Sequence, residues 1–356
     1  MKRLSLRIFV LLLSLVTVLQ FCACGTSEQT PIGDTTEQST TAADETTAPE
    51  IPAEPTSVLD GKKVLFIGNS FVYYGQTVLE LDPSLNTQKL RGNDTGYFYQ
   101  LCKAKGAEVS VTNWTFPSHN LTNYCQHPCA NKNCKDYGSD HLEDLTDPYY
   151  DYVILSGGRK STTTEEAFLG SMETLMNFFK AANPDVKFVY LCCSGSHNIS
   201  VEPSFPVNVL NNLKTIADRG VTVVDWGKLV ADIINGETEV PNAAETYNKN
   251  SFIVYNTSKD GYHPNQLTGY ITSLMTYCAI TGESAVGQPY DFCSDTSLSR
   301  KFSFSSYISE HYKFSTTTNY PEIFESDVDM NGIQTLIDQY LEEKAYLNYN
   351  FEPLAE

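Results

Sequence analysis

The strongest constraint on this chain's fold is a series of short apolar runs: VLFI at Val64–Ile67, YVIL at Tyr152–Leu155, VKFVYLCC at Val186–Cys193 and VTVV at Val221–Val224. Each is too short for a helix and too continuous for a strand with one wet face. That is the pattern of strands buried on both sides. Glu108–Trp114 alternates as a further strand, while Thr95–Gly106, Glu165–Ala182 and Val207–Arg219 carry apolar residues at helical spacing. Strands alternating with helices predict a central parallel sheet covered on both faces, a three-layer α/β/α sandwich. Adjacent Cys192 and Cys193 would point to opposite faces of their strand, so at least one belongs to the core. Residues 283 to 356 follow as an aromatic-rich C-terminal extension packed on the domain, closing with a helix from Gly332 to Tyr346.

Parallel sheets bind ligands beyond the carboxyl ends of their strands. The first run, in KVLFIGNSFVYYG, delivers Asn69 and Ser70 to that edge, as a helix cap or as chemistry. Far down the chain stands KDGYHPNQLTGYITSLMTYCAITG, Lys259 to Gly282, in which Pro264 sits near a helix start and Leu267, Ile271, Leu274, Met275 and Cys278 keep helical spacing. Asp260 and His263 occupy the loop entering that helix, close enough for the carboxylate to orient one imidazole nitrogen. Alone, the pair reads as a capping turn with a surface histidine. A serine nucleophile, however, needs a base within hydrogen-bond reach and a third group to fix the base's tautomer, and the two blocks together supply all three.

GNSF at Gly68–Phe71, with DGYHPNQLTGY at Asp260–Tyr270, resembles the SGNH hydrolases, the GDSL-like esterase superfamily, in the bacterial branch whose nucleophile block reads GNSF. The resemblance covers residues 61 to 282 and implies a flavodoxin-like sandwich in which Ser70 attacks an ester, His263 is the base and Asp260 orients it. It also implies an oxyanion hole. The Ser70 backbone N–H is one donor; the family's second position falls near Ser118, with the Asn120 side chain beside it, because Pro117 has no N–H to offer. The family's last donor follows the third strand, where SGGRKS, Ser156–Ser161, contains neither Asn nor Gln; Arg159 either substitutes as a charged donor or, the preferred reading, contacts substrate or solvent. A literal Gly92-Asn93-Asp94 precedes the second strand and is read as a turn. His197, at the ligand-binding edge after the fourth strand, either lines the pocket or is a satisfied loop histidine, and His119 has the same two readings. Tyr73 and Tyr74 either stack on a sugar ring or pack the core.

The chain opens with Lys2, Arg3 and Arg7, an apolar stretch and then FCACG, a secretory leader over residues 1–23 that resembles a bacterial lipobox with Cys24 as the lipidated residue. Residues 24–57 are rich in Thr, Glu, Ala, Ser and Pro and form a solvated tether. The domain proper spans residues 58–282. The formal charge of −19, more negative still without the three basic residues of the leader, disfavours nucleic acid and anionic lipid as partners. Eight cysteines follow Cys24, and in an exported chain disulfides are the expected use. Cys125, Cys129 and Cys134, with His127 and His141, form a cluster without paired C-x-x-C spacing, so no metal site is expected. The expectation is an extracytoplasmic, lipid-anchored serine esterase that removes acetyl groups from carbohydrate and needs no cofactor. Its rival is a non-catalytic glycan-binding lipoprotein on the same fold.

Overall fold

A computed structural model describes residues 57–78, 91–92, 96–116, 119–125, 142, 145, 147–157, 164–193, 212–244, 246–252, 263–294 and 322–347. The sheet is built from β1 (Lys63–Gly68), β2 (Arg91–Gly92), β3 (Ser110–Thr115), β4 (Tyr152–Ser156), β5 (Lys187–Leu191) and β6 (Val221–Val224). Their order is β2-β3-β1-β4-β5-β6, and every pairing is parallel except β2 with β3. Without β2, the strands run second-first-third-fourth-fifth in chain order, the flavodoxin-like arrangement. The order reverses between β1 and β4, which puts the expected ligand crevice beyond their carboxyl ends. Gly92, expected in a turn, instead lies in β2 opposite Thr112, because the edge of β3 is open to a short antiparallel partner.

Register and ring contacts establish the three layers. Phe66 of β1 pairs with Ile154 and Ile154 with Val189, so Tyr190, one residue on, faces the other side. Phe66 meets Phe98 of α2 (Tyr97–Ala104) edge-on at 5.3 Å, whereas Tyr190 meets Phe168 of α4 (Glu165–Ala182) at 5.4 Å. Helices α2 and α4 therefore cover opposite faces. The other α-helices among the described residues are α1 (Ser70–Tyr73), α3 (Leu121–Cys125), α5 (Leu213–Asp218), α6 (Trp226–Asn235), α7 (Lys249–Phe252), α8 (Gln266–Thr281) and α9 (Asp327–Glu342). Cys192 and Cys193 follow β5, and both are wholly buried.

Helix α8 is buried without a break from Leu267 to Cys278, because it contacts α2 and the sheet as well as α6 and α9. Its small polar residues are accommodated by bonding back along the helix. Thr272, Ser273 and Thr276 donate their hydroxyls to the carbonyls of Thr268, Gly269 and Thr272 at 2.8, 2.7 and 2.6 Å. Helix α9 begins before Gly332, its expected start, because Ser326 caps it by accepting from Asp329 N. Gly332 sits in mid-helix, where a Cβ would fall 2.5 Å from Pro241 O. Among the described residues, no helix is long and apolar enough to cross a membrane.

Candidate active site

Strand β1 ends at Gly68, a position that admits nothing larger: a Cβ there would lie 2.9 Å from Ser156 Cβ and 3.1 Å from Val72. Its carbonyl accepts from Phe116 N at 3.0 Å and lies 2.5 Å from the Tyr124 hydroxyl. Asn69 then turns the chain. Its Oδ1 caps α1 by accepting from Phe71 N at 3.0 Å, and its Nδ2 donates to the His119 carbonyl in the loop after β3. Ser70 follows as the first residue of α1, where backbone N–H groups have no partner within the helix, and it is partly exposed.

His263 comes from the entrance to α8. Asn265 fixes that entrance three ways: Oδ1 accepts from Thr268 N at 3.2 Å, Nδ2 donates to Ser251 O at 2.8 Å, and the backbone N donates to Phe252 O at 3.0 Å. The His263 ring is 6 % exposed, and its Nε2 lies 2.8 Å from Ser70 Oγ. That distance is a full hydrogen bond between a hydroxyl and an imidazole nitrogen.

The approach of α1 to α8 depends on a second pair that motif reading does not single out. Gly75 and Gly269 cross backbone to backbone; a Cβ on Gly269 would fall 1.5 Å from Gly75 O, and one on Gly75 would fall 2.7 Å from Gly269 Cα. Gln76 follows in a left-handed conformation at φ 68°, which a non-glycine residue adopts only under constraint. Its carbonyl accepts from Tyr97 N at 2.7 Å, anchoring the turn to α2.

The other expected site residues divide between the core, the site and its surroundings. Tyr73 is 1 % exposed and packs the core, so it presents no face to a sugar; its helical turn points inward. Tyr74 lies flat on the His263 ring, with centroids 3.9 Å apart and planes at 14°. Asn120 caps α3 through Oδ1, which accepts from Asn123 N at 3.2 Å while Asn123 Oδ1 accepts from Asn120 N at 2.9 Å; the cap leaves the Nδ2 donor, the group expected at the oxyanion, unused. His119 is wholly buried, with Phe116 and Tyr124 against its ring at 5.2 and 5.4 Å. Cys24, Ser118, Arg159, His197 and Asp260 lie outside the described residues.

Disulfides were the expected use of cysteine, and Cys102, Cys125 and Cys278 do not conform. They stand as thiols, each pushed up to about 12 by burial. Cys102 and Cys278 pack as core, whereas Cys125 is half-buried with its Sγ 3.7 Å from Ser171 O. Among the described residues, no three His, Cys, Asp or Glu side chains are grouped to hold a metal; His127, Cys129, Cys134 and His141 lie outside them.

No family model matches the chain, and no curated protein does. Solved structures similar to it include a carbohydrate esterase family 2 enzyme with a carbohydrate-binding domain from Corynascus thermopiles (Myceliophthora fergusii), 15% identical with TM-score 0.37, covering 64% of this chain and 68% of that one. A family two carbohydrate esterase from Clostridium thermocellum, in complex with cellohexaose, is 14% identical with TM-score 0.35, covering 65% and 66%. A variant of an acetyl xylan esterase from Geobacillus stearothermophilus is 16% identical with TM-score 0.40, covering 62% and 95%. The chain thus spans about two thirds of the first two proteins and nearly all of the third. At such identities a shared activity does not follow from a shared fold. In its two sequence blocks, its sheet order and its Ser70–His263 contact, the chain resembles the SGNH hydrolases.

Proposed function

We propose that this chain is a serine esterase that removes acyl groups, acetyl foremost, from carbohydrate, outside the cytoplasm and held to the membrane by a lipid on Cys24. The observation that carries the reading is the 2.8 Å contact between Ser70 Oγ and His263 Nε2 at the carboxyl edge of β1. Two residues 193 positions apart meet there in the geometry that nucleophile and base require. In the first half-reaction Ser70 Oγ attacks the acyl carbonyl as its proton passes to His263 Nε2, and the Ser70 N–H stabilises the oxyanion. The protonated His263 then gives its proton to the sugar oxygen as its bond to the acyl carbon breaks, and the sugar leaves with a free hydroxyl. In the second half-reaction His263 takes a proton from water, which attacks the acyl-enzyme, and returns it to Ser70 as the acid leaves. Asp260 is assigned to orient the base from its place three residues earlier in the sequence.

The test is release of acetate from acetylated glycans by the full chain and by Ser70→Ala. The variant should keep its fold and lose turnover by a factor on the order of 10³ or more. Retained turnover in Ser70→Ala would sink the mechanism. Run on cell fractions, the same assay should find activity with the membrane and, in Cys24→Ser, away from it; unchanged fractionation removes the anchor from the proposal.

A further inference from the structure

Resting on the esterase reading, we propose that Tyr74 is a positioning residue for the base: its ring holds the His263 imidazole in the plane that presents Nε2 to Ser70. One turn of backbone carries both contacts. Tyr74 N donates to Ser70 O at 3.0 Å, so Ser70 and Tyr74 stand four residues apart on one side of α1. From there the Ser70 hydroxyl reaches Nε2 at 2.8 Å, and the Tyr74 ring covers the imidazole face at 3.9 Å and 14°. Phe71, from the same turn, meets the ring at 5.5 Å and 40°. The imidazole is thus gripped at an edge and a face by a single element, and the Gly75–Gly269 crossing keeps that element seated on α8.

The groups that meet the ring in these contacts are the Ser70 hydroxyl, the Tyr74 ring with its phenol, and Phe71. Asp260, assigned to the other nitrogen, lies outside the described residues. A stacked aromatic face does two things. It bars rotation of the imidazole about its last side-chain bond, and its negative quadrupole attracts the imidazolium formed when Ser70 gives up its proton. The second effect acts after proton transfer, so it lowers the barrier rather than binding substrate more tightly.

The experiment pairs kinetics with a spectrum. Tyr74→Leu should lower kcat roughly 10- to 100-fold with little change in KM, the loss expected when a base is misplaced but present. Tyr74→Phe, which keeps the ring, should restore most of it. In proton NMR the His263 ring C–H signals should be displaced upfield by the stacked Tyr74 ring and should move back in Tyr74→Leu but not in Tyr74→Phe. If Tyr74→Leu does not fold, the His263 signal of the unmodified protein decides alone, since it needs no variant. An undisplaced His263 signal in the unmodified protein, or an unchanged kcat in folded Tyr74→Leu, overturns the proposal. The spectrum needs no turnover and is also recorded in the Ser70→Ala background. Failure of the esterase reading, seen as activity surviving Ser70→Ala, is therefore distinguishable from failure of the stack.

Discussion

Gly75 and Gly269 set how closely the nucleophile turn and the base helix approach, and each belongs to a sequence block noticed for another reason. A methyl group at Gly269 would need the space of the Gly75 carbonyl, only 1.5 Å away, and neither partner is a side chain that can swing aside. Gly269→Ala should therefore destabilise the protein by about 3 kcal/mol, the upper end of overpacking costs, and parting Ser70 from His263 should remove activity even where the variant folds. Denaturant unfolding beside an ester assay checks it, and a variant with unchanged stability would refute the crossing. Of the site, Ser70 and His263 were legible in the sequence because their chemistry demands particular residue types. The Tyr74 stack and the glycine crossing were not. They exist only once residues about two hundred positions apart are brought together, and no local pattern encodes that.

Whole elements were legible where burial alone decides them. The bounds of α4 and β6 match the sequence reading, since Thr164 caps the first by accepting from Ala167 N and Gly220 turns into the second at φ 87°. Helix α6 escaped notice although Asp225 accepts from Lys228 N at its start and Gly236 ends it at φ 72°. Those capping signals were available in the sequence. Helix α9 starts at Asp327 rather than at the expected Gly332, whose missing Cβ admits Pro241 O. Within α9, Gln334 carries a disproportionate share of the attachment. Its Nε2 donates to the Tyr270 hydroxyl of α8 at 2.9 Å and to Gln288 O at 2.8 Å, and its Oε1 accepts from Gly287 N at 2.9 Å. Gln334→Ala should cost roughly 2–4 kcal/mol through those stranded polar groups. Gln334→Glu should recover less than half, since a carboxylate cannot donate to Gln288 O. Equal stability of the three proteins by urea midpoint would show that α9 is held by apolar packing alone.

At the scale of the molecule, several groups are buried in forms that are neutral only while protonated, and this sets how the fold responds to base. Burial pushes the thiols of Cys102 and Cys278 up to about 12. Burial, and then donation to a carboxylate, raises two phenols: Tyr277 donates to Glu283 Oε1 at 2.8 Å, and Tyr340 to Asp232 Oδ2 at 2.6 Å. In the unfolded chain these thiols and phenols lose their protons near their ordinary values of 9.0 and 10.0. The folded state therefore binds more protons than the unfolded state above those values, and linkage makes stability fall as pH rises. The contribution is fully present below pH 9 and is lost as pH climbs toward the folded values. Tyr340 ties α9 to α6 and Tyr277 braces the end of α8, so the loss is felt at the α9–α6 contact and at the far end of the helix that His263 precedes. The urea midpoint should be steady up to about pH 8 and fall progressively by about pH 11. Tyr340→Phe, which removes one of the titrating groups, should flatten the fall above pH 10. Cys102 and Cys278 should resist a thiol reagent at neutral pH until urea unfolds the chain, because the reactive thiolate is suppressed and covered. An unfolding midpoint that does not move across that range, or prompt labelling of both thiols in the native protein, would contradict the burial on which this linkage depends.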